Sequence, residues 1–318
     1  DLKWEETTTY NVGFDLGFLN NRINASLEWY LRDTKDLLCY VTVPIGSATT
    51  NEMNINVGSM KNIGVEFAIN AKPVVNKNFT WTIDYNIAWN KNEITKLNNS
   101  DDPNSFVSVG GISGGTNNKV QAHKVGFPAY TYYLFEQVYD ANGKPIEGEF
   151  VDQDGNGSID DNDRVFRHQK DPKGTMSMSN TFNFKNWDFG FVLRANFGAY
   201  VYNNVLSQRT VLNRTWQNTH LSNMVKNDVY FTGETGQNLY LSDYYLRKGD
   251  FLRVDNITLG YTWENLFKEK LRLRLYGAVQ NPFVITKYNG LDPEVFGGID
   301  NDVYPRPTTY TLGLVATF

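Results

Sequence analysis

The sequence of 318 residues lacks any long apolar run and contains a single cysteine. A run of about 18 apolar residues occurs nowhere, which excludes a transmembrane helix. The lone thiol of Cys39 cannot close an internal disulfide, so it indicates nothing about the redox compartment. Membrane strands remain compatible with this composition, because a barrel strand exposes only every second side chain to lipid and its hydropathy signal is weak.

Basic charge is too sparse for a nucleic-acid-binding protein. The net charge is −5, and acidic and basic residues are interspersed without a basic stripe. Nucleic acid is therefore excluded as a partner. The first residues also lack an initiator Met, a charged n-region and an apolar h-region, so we expect the chain to begin downstream of another segment.

Patterns that carry catalysis or metal ligation are equally scarce. The three histidines, His123, His168 and His220, lie far apart without metal-ligand spacing. Residues 111–115 fit the G-x-S-x-G hydrolase pattern, but we expect neither a strand before them nor a helix after them, and interpret them as a flexible loop. The sequence thus predicts no enzymatic activity and no organic cofactor.

Period-two alternation of apolar and polar residues is the dominant pattern that is present. In the first segment the large apolar residues occupy alternate positions, namely Tyr10, Val12, Phe14, Leu16 and Phe18. The same pattern recurs at residues 23–31, 63–71, 79–89, 176–184, 189–197, 251–262, 271–281 and 310–318. Such alternation predicts β-strands with one apolar and one polar face.

Short polar links join these segments into antiparallel hairpins. The predicted links are residues 19–21, a turn around Pro73, and the pair Lys185 and Asn186. A fourth hairpin joins the strands at 251–262 and 271–281, and a phase slip near Asp255 predicts a β-bulge. A lone strand ends the chain, which gives about nine strands in all.

The two faces of the strands suit a membrane barrel. Bulky aromatics near segment ends, such as Trp29, Trp81, Trp89 and Phe318, match interfacial girdles. Charged residues fall on the inward face, namely Asp15, Arg22, Glu28, Glu66, Asp84, Arg194, Arg272 and Arg274. Because a dry sandwich core does not tolerate so many charges, we predict an all-β fold, an antiparallel transmembrane β-barrel.

Loop lengths predict the sidedness of this barrel. Four connections are long, at residues 34–60, 92–173, 200–249 and 282–307, and outer-membrane barrels place long loops outside and short turns in the periplasm. We expect strands at 127–139 and 147–151 and a short helix at 202–213 within these loops. Nine strands cannot close a wide barrel, so the remaining strands are expected in sequence beyond this chain.

Several phrases spread along the chain resemble the SusC/RagA family of TonB-dependent transporters. They are residues 2–5 (LKWE), 11–13 (NVG), 56–58 (NVG), 62–66 (NIGVE), 245–261 (YLRKGDFLRVDNITLGY), 281–283 (NPF), 288–294 (YNGLDPE) and 304–307 (YPRP). The resemblance implies the C-terminal portion of a barrel of roughly 22 strands in the bacterial outer membrane. The family's N-terminal plug and TonB box are absent from this chain.

The resemblance also implies partners and a transport function. A SusD-like surface lipoprotein would cap the mouth and deliver oligosaccharides or oligopeptides, and the TonB complex would supply energy through the missing N-terminal part. The barrel-assembly machinery and outer-membrane lipid are further expected partners. Phe318, at the end of an alternating strand, resembles the terminal signal that the assembly machinery reads.

Residues 152–163, called the acid-rich loop below, fit a twelve-residue calcium loop. The oxygen ligands predicted by the spacing are Asp152, Asp154, Asn156, the Ser158 carbonyl, Asp160 and Asp163, and Gly157 provides the turn. An Asp replaces the usual Glu at position 12, which shortens the bidentate reach and weakens the expected affinity. We predict structural calcium here; the alternative is a solvated polar turn.

Aromatic residues in the predicted loops are candidates for contact with an entering substrate. They are Tyr40, Tyr230, Tyr240, Tyr244, Tyr245, Tyr288, Phe296 and Tyr304. For each of them, packing of the loops on one another is the alternative interpretation. Two other classes of protein also remain open, a secreted all-β carbohydrate-binding or adhesin module and a passive porin, and the sequence does not identify the nutrient.

Overall fold

The computed structural model describes residues 2–42, 52–97, 104–113, 118–214, 216–217, 220–221, 223–234, 237–266 and 271–318. Among these residues no helix is long and apolar enough to cross a membrane. The strands in chain order are β1 Glu6–Phe18, β2 Ile23–Thr42, β3 Glu52–Val75, β4 Phe79–Lys96, β5 Phe106–Gly111, β6 Lys119–Lys124, β7 Thr131–Phe135, β8 Gln137–Tyr139, β9 Pro145–Phe150, β10 Arg164–Gln169, β11 Gly174–Phe184, β12 Trp187–Phe197, β13 Tyr200–Tyr202, β14 Trp216–Gln217, β15 His220–Leu221, β16 Leu246–Lys248, β17 Phe251–Asn265, β18 Leu271–Thr286 and β19 Thr309–Thr317. The described residues contain one α-helix, α1 at Asn204–Arg209, and 3₁₀ turns at Asp161–Asp163, Leu212–Arg214, Gln237–Leu241, Asp243–Tyr245 and Phe296–Gly298.

Nine long strands form one antiparallel sheet, called the wall below, in the order β1-β2-β3-β4-β11-β12-β17-β18-β19. This confirms the all-β class, the count of about nine strands and the predicted hairpins. The sheet does not close on itself, so in the described residues β1 and β19 are edge strands. An open edge leaves a row of backbone groups unpaired.

One face of the wall is apolar across strand after strand. Phe14 pairs with Leu27, Leu27 with Phe67, and Phe67 with Ile87, so these side chains form a row on one face. Phe14 is 62% exposed, and Leu312 on β19 is 79% exposed. A soluble sandwich buries such a face under a second layer, whereas a membrane wall presents it to lipid.

The opposite face of the wall is polar, as predicted. Glu28 pairs with Glu66, and Asn70 with Asp84. The predicted inward charges Asp15, Arg194, Arg272 and Arg274 also fall on this parity. Arg22 is the exception, because it lies in the turn after β1, where its guanidinium donates to the carbonyls of Lys72 and Pro73 at 3.0 Å each.

The turns between strands match the sequence with one correction. Leu19, Asn20 and Asn21 all adopt positive φ, as does Lys185, so tight turns join these hairpins. Pro73, however, lies inside β3 at a register shift between Ala71 and Val74, and residues 76–78 form the turn. A bulge tolerates proline because its missing N–H interrupts no ladder hydrogen bond there.

The strands extend further than the alternation indicated. The predicted loop at 34–60 is mostly strand, since β2 continues to Thr42 and β3 begins at Glu52. Likewise β4 runs to Lys96 and β18 to Thr286. About 10 residues span the bilayer, so strands of 20 and 24 residues project beyond it, where both faces meet water and the apolar alternation disappears. The predicted bulge at Asp255 is confirmed by a register shift between Val254 and Asn256.

Tyrosines on the polar face cover glycines of the neighbouring strand. Tyr30 pairs with Gly64, and Tyr276 pairs with Gly313. A methyl group placed on Gly64 would lie 2.5 Å from the Tyr30 ring, and one on Gly313 would lie 2.3 Å from the Tyr276 ring. The glycines thus let the rings lie flat across the adjacent strand, an arrangement that fixes register.

The long connections from β4 to β11 and from β12 to β17 fold into a compact layer, called the loop unit below. It contains a four-stranded sheet in the order β10-β7-β6-β5, the short pairs β8-β9 and β13-β16, and α1. The strands predicted at 127–139 and 147–151 and the helix predicted at 202–213 are confirmed. Strands β5, β6, β10, β13 and β16 were not predicted.

The main apolar core of the described chain lies in this loop unit, not in the wall. It contains Ile112, Val120, Tyr132, Leu134, Phe135, Phe150, Tyr202, Leu206, Val211, Phe231, Leu239, Tyr240, Leu241, Tyr245 and Ile299. These residues come from the two connections of the loop unit and from the connection after β18, which supplies Ile299. Their shared burial ties the loops into one body at one end of the wall.

Candidate functional site

Three carboxylates of the acid-rich loop converge. Ligand oxygens of Asp152, Asp154 and Asp163 all lie within 4.8 Å of one another. Asp163 is fully buried and accepts from the backbone N–H groups of Gln153 at 2.7 Å and Asp160 at 2.8 Å. Oxygen-rich clusters of this kind suit a hard divalent cation, so these residues fit calcium.

Two other predicted ligands of the acid-rich loop, Asn156 and Asp160, accept backbone hydrogen bonds. The Asn156 amide oxygen accepts from Ser158 N–H at 2.7 Å, and Asp160 accepts from Asn162 N–H at 2.8 Å as the cap of a 3₁₀ turn. Backbone N–H groups, Gly157 first, hold the pKa of Asp152 below its ordinary value. Of the four predicted aspartate ligands the structure brings three together, and calcium stays a prediction.

An ion network joins the wall to the connection between β18 and β19, residues 287–308, called the last loop below. Arg253 of β17 is 2% exposed and lies 2.6 Å from Asp292 Oδ1 and 3.1 Å from Glu294 Oε2. Arg306 contacts Glu294 at 2.9 Å and Asp292 at 3.4 Å. Arg194 of β12 contacts Glu294 as well as the bulge residue Asp255.

This network contains three arginines and three carboxylates, so its formal charges cancel. Its members belong to the phrases at 245–261, 288–294 and 304–307 and to β12. These phrases carry the family resemblance, but an ion network was not predicted from them. The available signal was the charge pattern, with an arginine in two phrases and carboxylates in the third. Spacing alone does not show which of these residues pair.

A cavity of about 360 Å³ lies next to the ion network. Asn196, Phe251, Arg306 and Phe296 are among its lining residues. Phe251 is buried at its base, and Phe296 is fully exposed at its edge. Sequence reasoning proposed Phe296 as a substrate contact but did not predict the cavity, because its walls come from four separate segments.

The structure divides the predicted loop aromatics into two groups. Tyr240, Tyr245 and Tyr288 are buried, and the Tyr288 hydroxyl donates to Asp300 Oδ2 at 2.6 Å. Burial makes these three loop-packing residues, the alternative interpretation given above. Tyr230, Phe296 and Tyr304 are exposed, and Tyr244 is partly buried. Tyr40 lies in β2 and not in a loop, and its side chain is outside the described set.

The remaining sequence candidates show no catalytic arrangement in the described residues. Contrary to expectation a strand, β5, precedes Ser113, but the Ser113 hydroxyl contacts the side-chain amides of Asn204, Gln208 and Asn301. An amide is not a general base, so the contact does not activate a nucleophile. Gly114 and Gly115 of that pattern lie outside the described residues. Phe318 follows β19 and is exposed, and its assembly role stays a prediction.

Comparison with known proteins gives consistent relatives. Residues 1–281 match the family model for the TonB dependent receptor-like β-barrel. The whole chain is 49% identical to the TonB-dependent receptor SusC of Bacteroides thetaiotaomicron, of which it covers 32%. It is 27% identical to the TonB-dependent receptor P3 of Formosa agariphila, of which it covers 34%.

A solved structure shares the fold over nearly the whole chain. The RagAB peptide transporter superposes with a TM-score of 0.79 at 25% identity, covering 99% of this chain and 36% of that one. This chain thus spans about a third of the length of its relatives. The relatives are receptors and transporters, in agreement with the prediction that the chain is not an enzyme.

Proposed function

The chain belongs to the TonB-dependent receptor-like β-barrel family, and from this membership we propose that it is the C-terminal part of an importer of oligosaccharides or oligopeptides. Barrels of this family are bacterial outer-membrane proteins, which places the chain in that membrane. The observation that carries the proposal is the 49% identity to SusC along the whole chain. The wall supports it, because an apolar outer face and a charged inner face suit a barrel with a polar lumen.

The proposal extends to partners that act on the complete protein. We infer a SusD-like surface lipoprotein over the loop side, where three wall connections form a folded body instead of separate loops. A plug and a TonB box in the remaining sequence would couple import to the inner-membrane TonB complex. The SusC relative supports this kind of partner, and the RagAB structure is that of a peptide transporter.

Structural calcium in the acid-rich loop is part of the same proposal. Three convergent carboxylates repel one another unless a cation neutralises them. Tyr133, a residue of the loop sheet, donates from its hydroxyl to the Asp161 carbonyl at 2.7 Å, so an ordered acid-rich loop would brace the loop unit. No catalytic constellation adjoins these residues in the described chain, which favours a structural role for the ion.

Deleting the gene of the complete parent protein tests the import proposal. The deletion strain should lose growth on one oligosaccharide or peptide mixture and keep growth on monosaccharides, and a plasmid copy should restore it. Uptake should also stop when the TonB complex is inactivated. Uptake that persists without TonB would instead indicate a passive porin, and a parent absent from the outer-membrane fraction would refute the proposal.

A further inference from the structure

The cavity beside the ion network faces the lumen at the loop end of the wall. Asn196 of β12 and Phe251 of β17 are direct register partners, and both line it. Each lies two residues along its strand from an arginine, Asn196 from Arg194 and Phe251 from Arg253, so all four side chains lie on the polar face. A solute that enters the lumen from the loop side would therefore pass this cavity, and its volume of about 360 Å³ lies in the range of small-molecule sites.

The aromatic ring at the edge of the cavity is held in place by its backbone. Phe296 begins a 3₁₀ turn in which Gly297 and Gly298 adopt positive φ. The side chain of Gln121 donates to the Gly297 carbonyl at 3.0 Å, and the Tyr132 hydroxyl donates to the Gly298 carbonyl at 2.7 Å. Both donors are buried in the loop unit, so the backbone that carries the exposed ring is anchored.

The charges around the cavity are already neutralised within the protein. Arg306 is paired with Glu294, and Lys170 lies 2.8 Å from Asp171. A charged ligand group would have to displace one of these partners. In contrast, the neutral side-chain amide of Asn196 forms no hydrogen bond to any other part of the chain that the structure describes. The Arg306 guanidinium has five N–H donors, and its carboxylate partners occupy only some of them.

We propose that this cavity is a binding subsite for a neutral oligosaccharide, in which Phe296 stacks on a sugar ring while Asn196 and Arg306 bind hydroxyl groups. The inference rests on the proposed import function. An aromatic face beside neutral and charge-compensated hydrogen-bonding groups matches a ligand with apolar ring faces and many hydroxyls. A peptide with charged termini matches it less well, because no uncompensated charge lies among the described residues that line the cavity.

The test uses the complete parent protein and defined probes. Linear neutral glucose, mannose, xylose and fructose oligomers and a tryptic peptide digest are offered to cells that express the wild type or a variant, and uptake is measured. Phe296→Ala should raise the half-saturating concentration for one neutral oligomer roughly fivefold to tenfold, the ratio expected for one aromatic contact. Phe296→Trp should leave this concentration close to the wild-type value, and Asn196→Leu should raise it.

Leu291→Ala is the matched control, because Leu291 is an exposed apolar residue of the same loop that does not line the cavity. Wild-type uptake in the Phe296→Ala cells would overturn the inference. Uptake of peptides alone would also overturn it while leaving the import function intact. Loss of a co-purifying lipoprotein in Phe296→Ala cells, with the half-saturating oligomer concentration unchanged, would identify the ring as a protein contact and overturn it too. If the parent imports no probe and no complex nutrient, the import function itself fails.

Discussion

Replacing Arg253 with methionine tests whether the ion network holds the last loop on the wall. The guanidinium is 2% exposed, lies 2.6 Å from Asp292 Oδ1 and donates to Asn281 Oδ1 at 2.7 Å. The substitution removes the buried partner of Asp292 but leaves Arg306 at 3.4 Å. Removing one partner of a buried ion pair costs about 3–5 kcal/mol, and the remaining arginine places the expected cost near the lower end.

The matched control for this change is Arg272→Met on the neighbouring strand β18. Arg272 is 62% exposed and lies 3.0 Å from Glu264 Oε1, so its pair is solvated. Exposed pairs contribute about 0–1 kcal/mol, and the control should therefore behave almost as the wild type. The two variants remove the same functional group, which separates the effect of burial from the loss of an arginine.

The assay measures the half-life of the folded parent protein in detergent at one elevated temperature. On a gel run without boiling, the folded form migrates faster than the unfolded form, so the two can be quantified. If the whole cost lowers the barrier to unfolding, about 3 kcal/mol shortens the half-life roughly hundredfold. Limited proteolysis should also cut Arg253→Met faster than the control within the last loop. The double variant Arg253→Met, Asp292→Leu should recover much of the loss, because it removes the orphaned carboxylate.

Two results would refute this reasoning. Equal half-lives for Arg253→Met and Arg272→Met would show that the network does not stabilise the loop. A double variant as unstable as Arg253→Met would show that lost packing, and not the unpaired charge of Asp292, causes the defect.

Three further predictions address the acid-rich loop, a histidine and a glycine. Calcium should slow proteolysis of the acid-rich loop in the parent relative to a chelator, and Asp163→Ala should abolish the difference. Burial lowers the pKa of His168 from its ordinary 6.5, so the unfolded chain binds the proton more readily than the folded chain. The free energy of unfolding should therefore fall as the pH drops from about 6.5 through the folded pKa. The protease resistance of His168→Gln should vary less with pH than that of the wild type. Gly313→Ala should destabilise the folded form by about 1–3 kcal/mol against the Tyr276 ring, whereas Gly277→Ala, whose nearest neighbour is 4.0 Å away, should not.

The wall was predictable because each of its strands separates two solvents. Lipid on one side and water on the other impose period-two alternation on every strand, as Phe14 and Asp15 illustrate on β1. The turns were predictable from short polar links such as Lys185 and Asn186. Where a strand leaves the bilayer this constraint ends, and the sequence analysis therefore placed residues 34–42 in a loop although β2 continues through them.

The loop unit was largely unpredictable because its core is assembled from distant segments. Val120, Gln121 and Ala122 are consecutive and all buried, so β6 shows no alternation at all. Phe135 and Tyr202 share one core although they belong to different connections of the wall. Burial of this kind depends on how loops dock, which local propensity and period do not encode.

The acid-rich loop and the ion network show the same division between local and distant information. The spacing of Asp152, Asp154 and Asp163 is local, and the structure brings their carboxylates together. Asp160 was expected as a ligand but caps a 3₁₀ turn, because an Asp at that position competes for the nearest free backbone N–H. Arg194 and Glu294 are 100 residues apart, and only the fold pairs them.

The last loop is fixed from two sides by chemically different contacts. On the wall side, charged groups hold it through Arg253 and Asp292. On the loop side, two buried neutral side chains, Gln121 and Tyr132, donate to the carbonyls of its glycine pair, Gly297 and Gly298. Phe296 lies between these two attachments, so its backbone is anchored before any ligand arrives. An anchored backbone loses little conformational entropy on binding, and only the two side-chain torsions of the ring remain to be ordered, so one exposed phenylalanine contributes measurable affinity at the mouth of a polar lumen.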